Sequence, residues 1–210
     1  DRAPATVERP GATTVSAAPL NDIARKLPDG ALVNIAFDAA SGRVSVQAGR
    51  ANFNLATLPR EDFPVMASSE YSANFSAPSQ LLRRLFDKSR FAISTEETRY
   101  YLNGLYLHTV SDGGETKLRA VATDGHRLAL AEMPAPEGMS SAPGVIVPRK
   151  TVQEARRLLD DVSGPVDFQV SAAKIRFEFA RAALTSKVID GSFPDYVRVI
   201  PKGNDKIVIV

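Results

Sequence analysis

The stretch VATDGHRLAL, residues Val121–Leu130, joins two apolar-rich segments through an Asp-Gly pair. Asp-Gly between apolar flanks is typical of a β-hairpin with a type I′ turn, in which both central residues have positive φ. The stretch also holds one of the two histidines of the chain, next to an arginine and near an aspartate. It therefore predicts two antiparallel strands with a cluster of polar side chains where they meet.

The composition is that of a globular protein. The chain has 210 residues, 44% hydrophobic and 24% charged, with a formal net charge of +2. Because it has no cysteine, disulfides and thiolate metal sites are excluded. No apolar run reaches the roughly 20 residues of a membrane helix, and the start at Asp1 lacks the apolar core of a signal peptide. We expect a cytoplasmic protein without metal or cofactor, and the missing initiator methionine indicates a fragment.

The chain repeats itself at a spacing of 130 to 131 residues. The segment ARKL at 24–27 recurs as ARRL at 155–158, and Phe63-Pro64 recurs as Phe193-Pro194. The alternating apolar positions stay in register, pairing Val33 with Gly164, Ile35 with Val166, Phe37 with Phe168, Val44 with Ile175, Val46 with Phe177 and Phe53 with Leu184. Each copy therefore predicts a helix followed by three period-two strands, and the long period indicates domain duplication.

A related unit lies between the two copies. Pro78 precedes an apolar helical stripe, and three strands are predicted at about 99–110, 117–123 and 126–133. Units thus start near residues 15, 75 and 145, and two units make one domain. We expect the second half of one domain at 1–68, a complete domain at 69–201 and the first strand of a third at 202–210, with a linker at 67–70.

Several motifs of the chain resemble motifs of the bacterial DNA polymerase III β subunit family, the sliding clamps, and they occur in the same order along the chain as in that family. Besides TDGHRLA at 123–129, they are PGATTV at 10–15, LPREDFP at 58–64, RYYLNG at 99–104, VIVPRK at 145–150, TSK at 185–187 and DGSFPDY at 190–196. The resemblance implies an α+β DNA clamp fold, with duplicated helix-plus-three-strand units, antiparallel sheets outside and helices on the DNA-facing side. Residues 1–68 would end domain one, and 202–210 would begin domain three.

The function that the resemblance implies is that of a non-catalytic processivity factor. In this family, three such domains form a subunit, and a homodimeric ring encircles double-stranded DNA. The ring tethers the DNA polymerase III catalytic subunit, the clamp loader and other proteins with a clamp-binding motif. Since about half of domain one and most of domain three are absent, ring closure by this chain is in question, and we expect it to be a monomer.

Basic residues are concentrated on the three predicted helices, 18–28, 78–90 and 149–161, which hold ten basic and five acidic residues. A shared basic face would contact phosphates without reading bases, although exposed helix faces commonly carry such charges. Arg149 and Lys150 oppose the helix dipole at a predicted N-terminus, which indicates a ligand. With the resemblance, the expected DNA-facing residues are Arg25, Lys26, Arg83, Arg84, Arg149, Lys150, Arg156 and Arg157.

The resemblance also implies an apolar pocket for a short partner peptide. By matching motifs, its residues are Leu102, Thr123, Gly125, His126, Arg127, Leu128, Pro194 and Val199, with Arg99, Tyr101 and Arg198 at its margin. Leucine, proline and valine side chains offer apolar area to anchor residues of a peptide. The alternative is that Leu128 and Val199 are core strand residues. The remaining wall belongs to domain three in the family, so we expect this chain to bind peptide weakly.

Two sets of residues have alternative interpretations. Arg43 and Arg50 resemble basic residues at the subunit interface of clamps, or they are ordinary strand-end charges. Asp124 and His126 could indicate an enzyme, but no nucleophile elbow, phosphate-binding loop or zinc-protease motif is present. Besides the enzyme, the other alternative to a clamp is a duplicated α+β module that binds nucleic acid or peptide without forming a ring.

Overall fold

A computed structural model describes residues 3–64, 71–201 and 203. Its described residues divide into two compact units, 4–64 and 71–201, which are treated separately below. The predicted linker at 67–70 lies outside the described residues, as does the predicted strand at 202–210 apart from residue 203.

The first unit is one helix and one antiparallel sheet. Its elements are α1 (Ala17–Lys26), β1 (Val33–Asp38), β2 (Arg43–Ala48) and β3 (Ala51–Ala56), with sheet order β1-β2-β3. Helix α1 ends two residues earlier than predicted because Pro28 disfavours helical geometry at Leu27, which is extended. Ile23 of the helix packs against Val44 and Val46, and these three residues form a small core.

The apolar side chains of β1 are exposed although they belong to the core side of this sheet. Val33, Ile35 and Phe37 pair directly with Ala48, Val46 and Val44, which are all buried. Directly paired residues share a face, yet Ile35 is 66% exposed. Within residues 4–64, therefore, nothing covers this part of the apolar face.

The second unit contains two four-stranded antiparallel sheets and two helices, which agrees with the predicted α+β class. Its elements are β4 (Ala73–Pro78), α2 (Ser79–Ser89), β5 (Gly104–Asp112), β6 (Glu115–Thr123), β7 (Leu128–Pro134), β8 (Val145–Pro148), α3 (Arg149–Leu158), β9 (Pro165–Val170), β10 (Lys174–Glu178) and β11 (Ala183–Lys187). The sheet orders are β7-β6-β5-β8 and β11-β10-β9-β4. Both helices pack on the sheets through apolar faces that include Leu82, Phe86 and Val152.

The strand that precedes each helix joins the sheet of the other half. β4 comes before α2 but pairs with β9, placing Phe75 opposite Phe168 with ring centroids 5.5 Å apart. β8 comes before α3 but pairs with β5. The repeat predicted the helices and their three following strands, but not this exchange, which interlocks the two halves.

The largest differences from the predicted boundaries in this unit are at the start of β5 and the end of α3, while β6 begins two residues earlier and β7 two residues later than predicted. The strand expected from Arg99 begins only at Gly104, because residues Glu97–Leu102 form 3-10 turns. The side chain of Asn103 stabilises them by donating to the Glu96 carbonyl. Helix α3 ends at Leu158 and continues as a single 3-10 turn, Leu159–Asp161. None of the helices within the described ranges combines the length and apolar character needed to span a membrane.

Candidate functional site

The hairpin between β6 and β7 has a four-residue loop, Asp124–Arg127, closed by the pair of Thr123 with Leu128. The predicted type I′ turn is wrong. That turn needs positive φ at both Asp124 and Gly125, but every residue with positive φ in the described ranges is a glycine, so Asp124 has negative φ. Instead, Oδ1 of Asp124 accepts hydrogen bonds from the backbone N–H groups of His126 and Arg127, each at 3.0 Å. These bonds lower the pKa of Asp124 to about 2. Asp124 is therefore ionised at neutral pH, and its carboxylate shapes the loop by accepting these backbone hydrogen bonds.

The Arg99 side chain packs against the hairpin loop. Its Nη2 donates to the Asp124 carbonyl at 3.1 Å and pairs with Oε1 of Glu96 at 2.6 Å. A Cβ placed on Gly125, where φ is +90°, would lie 2.6 Å from Nη1 of Arg99. The backbone conformation therefore favours glycine at 125, and any side chain there would displace the Arg99 guanidinium from its place beside the loop.

The expected peptide-pocket residues all lie in the second unit and differ widely in exposure. Leu102 is only 4% exposed, whereas Val199 is 67% exposed. Arg99, Tyr101, Thr123 and Leu128 are half-buried, and the exposed members are Gly125, His126, Arg127, Pro194 and Arg198. Val199 lies in a 3-10 turn, Tyr196–Val199, so its interpretation as a core strand residue is wrong.

The segment that contains Pro194 and Val199 packs on the sheet that carries the hairpin. Phe193 stacks on Tyr106 of β5 with ring centroids 5.0 Å apart. Tyr106 pairs with Val121 of β6, and Val121 shares its face with Thr123 because side chains two apart point the same way. The hairpin and this segment therefore border the same face of the sheet.

The basic residues of α2 and α3 fall into two groups. Arg84, Arg149, Lys150 and Arg157 are exposed. Arg156 instead ties α3 to α2, with Nε 2.8 Å from Oδ1 of Asp87 and Nη1 2.6 Å from Oδ1 of Asp160. The hydrogen bond from Arg156 lowers the pKa of Asp87, and the Asp87 and Asp160 carboxylates raise the pKa of Arg156. Arg83 donates to the Leu159 carbonyl at 2.7 Å and so makes a second tie.

A cavity of about 320 Å³ lies beside these helices. It is lined by Asp87, Arg90, Phe91, Ile93, Arg149 and Gln153. Sequence reasoning did not single out Arg90 or Gln153 as site residues. Arg90 lies at the C-terminal end of α2 and Gln153 in the middle of α3, and neither position gave a signal until α2 and α3 were known to be neighbours. The Arg127 guanidinium lies 5.7 Å from the centre of the Phe91 ring, so the hairpin reaches the rim of this cavity.

The remaining expected site residues lie in the first unit. Arg25 and Lys26 are exposed in the last turn of α1, where cations are favourable to the helix dipole. Arg50 is exposed in the turn between β2 and β3. Arg43 borders a cavity of about 380 Å³ that is also lined by Ala36, Phe37, Asp38, Ser41, Ser45 and Asn54. Across the described residues of both units, no group of three or more histidine, aspartate or glutamate side chains could hold a metal ion.

Two interlocked helix-and-sheet halves with exposed basic residues on their helices are the features expected of a DNA clamp, and family models place the chain in that class. The model for the DNA polymerase III beta subunit, central domain, matches residues 76–195. The model for its N-terminal domain matches residues 1–67. The chain belongs to the DNA polymerase III beta subunit family.

Individual relatives agree with this assignment. The chain is 64% identical over 203 residues to the beta sliding clamp of Caulobacter vibrioides, covering 97% of this chain and 55% of that protein. Against the beta sliding clamp of Escherichia coli K12, identity is 43% over 197 residues, covering 94% and 52%. The chain thus spans about half the length of the curated relatives it matches.

Solved structures show the same fold. A crystal structure of the Caulobacter crescentus beta sliding clamp superposes with a TM-score of 0.92 at 64% identity, covering 95% of this chain and 53% of that one. A DnaN sliding clamp from Bartonella birtlesii, bound to griselimycin, superposes with a TM-score of 0.90 at 48% identity, covering 95% and 53%.

Proposed function

We propose that this chain is part of a bacterial sliding clamp, the non-catalytic processivity factor of DNA polymerase III. In this proposal, residues 1–68 end clamp domain one, 69–201 are domain two and 202–210 begin domain three. The intact protein would be a cytoplasmic homodimeric ring around double-stranded DNA. The observation that carries the proposal is the clamp architecture of the second unit, in which two helices tied side by side present exposed basic residues.

The proposed DNA contacts are phosphate contacts from the exposed basic residues. Arg84, Arg149, Lys150 and Arg157 have exposed side chains on α2 and α3, and Arg25 and Lys26 have the same exposure on α1. Arg83 and Arg156, which are engaged with α3 and α2, support the helix pair and contribute net positive charge. Weak, sequence-independent contacts suit a protein that encirclement would retain on DNA.

Duplex binding tests these contacts. In fluorescence polarisation with the present chain, Arg149→Gln and Lys150→Gln should weaken binding for every duplex sequence. Each should also reduce the dependence of log K on log salt by about 0.9 per lost phosphate contact. Arg181→Gln is the control, since Arg181 is exposed but lies between β10 and β11, outside the helices. Equal effects of all three substitutions would contradict the assignment.

Encirclement requires the intact protein. Its complex should resist high salt on circular DNA and be lost from linear DNA, because a closed ring can leave only over an end. Equal salt-sensitive loss from both DNAs would favour a module that binds nucleic acid or peptide without forming a ring.

The second part of the proposal is a peptide pocket beside the hairpin. The DNA polymerase III catalytic subunit, the clamp loader and other proteins with a clamp-binding motif would insert a short peptide there. Leu128, Pro194 and Val199 would contact its apolar anchors, and His126 and Arg127 would bind polar groups at the rim. Since a further wall would come from domain three, a labelled Gln-Leu-x-Leu-Phe-type peptide should bind the present chain weakly, and tight binding would contradict this.

Assembly is the third part of the proposal. Arg43 and Arg50 would pair with acidic residues of a neighbouring subunit in the intact ring. Their partners would belong to domain three, so the present chain should be a monomer in light scattering. A stable dimer at micromolar concentration would contradict this assignment.

A further inference from the structure

A single buried side chain anchors the segment that precedes the end of the second unit. In residues 194–200, Tyr196 is 6% exposed, while Pro194, Asp195, Val197, Arg198, Val199 and Ile200 are all exposed. Upstream, the segment is held at Ile189, whose N–H donates to the Ile146 carbonyl at 2.9 Å, and at Phe193 by stacking on Tyr106. Within residues 194–200, Tyr196 is therefore the one side chain that packs into the second unit.

The hydroxyl group of Tyr196 is held from two strands. Nη1 of Arg119 donates to the hydroxyl oxygen at 2.8 Å, and Nε2 of His108 lies 2.9 Å from the same oxygen. His108 Nδ1 lies 3.2 Å from the Thr109 carbonyl, which can only accept, so Nδ1 carries the proton and Nε2 accepts the hydroxyl proton. The hydroxyl thus donates once and accepts once.

The two partners of Tyr196 are themselves fixed. Nε of Arg119 donates to Oε1 of Glu132 at 2.7 Å. The His108 ring stacks on Tyr106 with centroids 4.5 Å apart, and Tyr106 stacks in turn on Phe193. A polar chain and an aromatic stack therefore converge on the same segment, and both originate on β5, β6 and β7 rather than in the segment itself.

We propose that Tyr196, held by His108 and Arg119, is a positioning residue that places Pro194 and Val199 as one wall of the peptide pocket. This inference rests on the peptide-binding part of the proposed function and names the residues that preorganise it. Tyr196 itself does not touch the peptide in this proposal. The hydrogen bonds of its hydroxyl determine the positions of the exposed Pro194 and Val199. Because these residues are already ordered in the free protein, less conformational entropy is lost when the peptide binds.

Tyr196→Phe tests the proposal because it keeps the ring and removes only the hydroxyl. In the present chain, titrated to high protein concentration with the labelled Gln-Leu-x-Leu-Phe-type peptide, the variant should raise Kd by roughly five- to tenfold. Amide hydrogen exchange across 194–200 should become faster. The matched control is Tyr100→Phe, an exposed tyrosine of the same unit, which should change neither measurement.

Replacements of His108 separate positioning from general destabilisation. His108→Leu removes one of the two hydrogen bonds of the Tyr196 hydroxyl, so it should weaken peptide binding no more than Tyr196→Phe does. The double variant should be no weaker than Tyr196→Phe alone, because Tyr196→Phe already removes the bond to His108. His108→Gln offers an amide oxygen near the position of Nε2 and should restore most of the affinity. A uniform loss of stability would instead give additive losses and no rescue by glutamine.

The two measurements distinguish the failure of this inference from the failure of the proposed function. If the unsubstituted chain binds no peptide but Tyr196→Phe still accelerates exchange across 194–200, the pocket assignment fails and the anchoring role stands. If Tyr196→Phe leaves the exchange unchanged, or accelerates it without weakening a measurable peptide affinity, Tyr196 does not position the pocket wall and the inference is overturned.

Discussion

The Arg99 guanidinium occupies the space beside Gly125 that a side chain at position 125 would need. Nη1 of Arg99 would lie 2.6 Å from a Cβ at this position, while Nη2 donates to the neighbouring Asp124 carbonyl. The absence of a side chain on Gly125 is what lets Arg99 connect the 3-10 turns before β5 to the hairpin loop. The shape of the loop is therefore determined partly by a residue 26 positions earlier in the chain.

Gly125→Ala should lower the free energy of unfolding by about 2 kcal/mol in urea denaturation. Positive φ accounts for about 1 kcal/mol, and displacement of the Arg99 hydrogen bond adds about 1 kcal/mol. Gly114→Ala is the matched control, because its φ is +88° and no atom lies within 4 Å of the added Cβ. Gly114→Ala should lower the free energy of unfolding only by the contribution of positive φ, about 1 kcal/mol. If both substitutions cost the same, the contact with Arg99 has no energetic role.

Phe168→Ala should be much more destabilising than Phe37→Ala, although the repeat aligns the two positions. Phe168 is 1% exposed and packs between Phe75 and Phe177, so its loss should cost about 3–5 kcal/mol. Phe37 is 39% exposed on β1, and we expect about 1 kcal/mol or less. Urea denaturation with residue-resolved hydrogen exchange reports each unit separately. Comparable losses would mean that the apolar face of β1 is covered in solution.

Arg156→Met should destabilise the second unit without a specific loss of DNA affinity. The guanidinium joins Asp87 to Asp160 and is largely buried, so its removal should cost about 1–3 kcal/mol. Arg157→Met is the neighbouring control: Arg157 is exposed and pairs only with Glu154 among the described ion pairs, so the cost should stay below about 0.5 kcal/mol. Duplex affinity should show the larger effect for Arg157. If Arg157→Met were the more destabilising substitution and Arg156→Met the one with the larger loss of duplex affinity, the distinction between arginines that connect the helices and arginines that contact DNA would be refuted.

The stability of the second unit should fall as the pH decreases below about 6.5 because of His108. Burial lowers the pKa of His108 from its ordinary value of 6.5, opposed by the Thr109 carbonyl. The unfolded chain therefore binds the proton more readily than the folded chain, and the contribution of neutral His108 is complete above 6.5 and decreases below it. The difference in unfolding free energy between the unsubstituted chain and His108→Gln should shrink across this range. A difference independent of pH would contradict a buried neutral His108.

Sequence periodicity predicted the elements that depend on local burial. Ile175 and Phe177 alternate with polar residues and lie in β10 as expected, and the stripe at Leu82, Leu85 and Phe86 faces the core. The exchange of β4 and β8 could not be predicted, because the partner of a strand depends on contacts between distant segments. The turn type predicted from Asp-Gly was wrong because that prediction considers only backbone preferences and not the hydrogen bonds that the Asp124 side chain accepts.

The candidate sites were predictable to different degrees. Motifs placed the hairpin and the Pro194–Val199 segment in one unit, but no local pattern marks Tyr196, His108 and Arg119 as partners, since they come from three separate segments. The ties made by Arg83 and Arg156 were equally hidden, because a charge tally treats all helix arginines alike. Only the adjacency of α2 and α3 shows which arginines, Arg83 and Arg156, bond across to the neighbouring segment and which are exposed.

The exchange of strands between halves also governs the order in which this unit can be completed during synthesis. About 90 residues separate the end of β4 from its partner β9, which at ribosomal speeds of 5–20 residues per second is roughly 5–20 s. During that interval β4 is a strand without its native neighbour, and such strands invite pairing with other chains. Asn74 and Ser76 on its exposed face and Pro78 at its end reduce that hazard. The nascent chain thus carries its protection against aggregation in the first strand of the unit to be made.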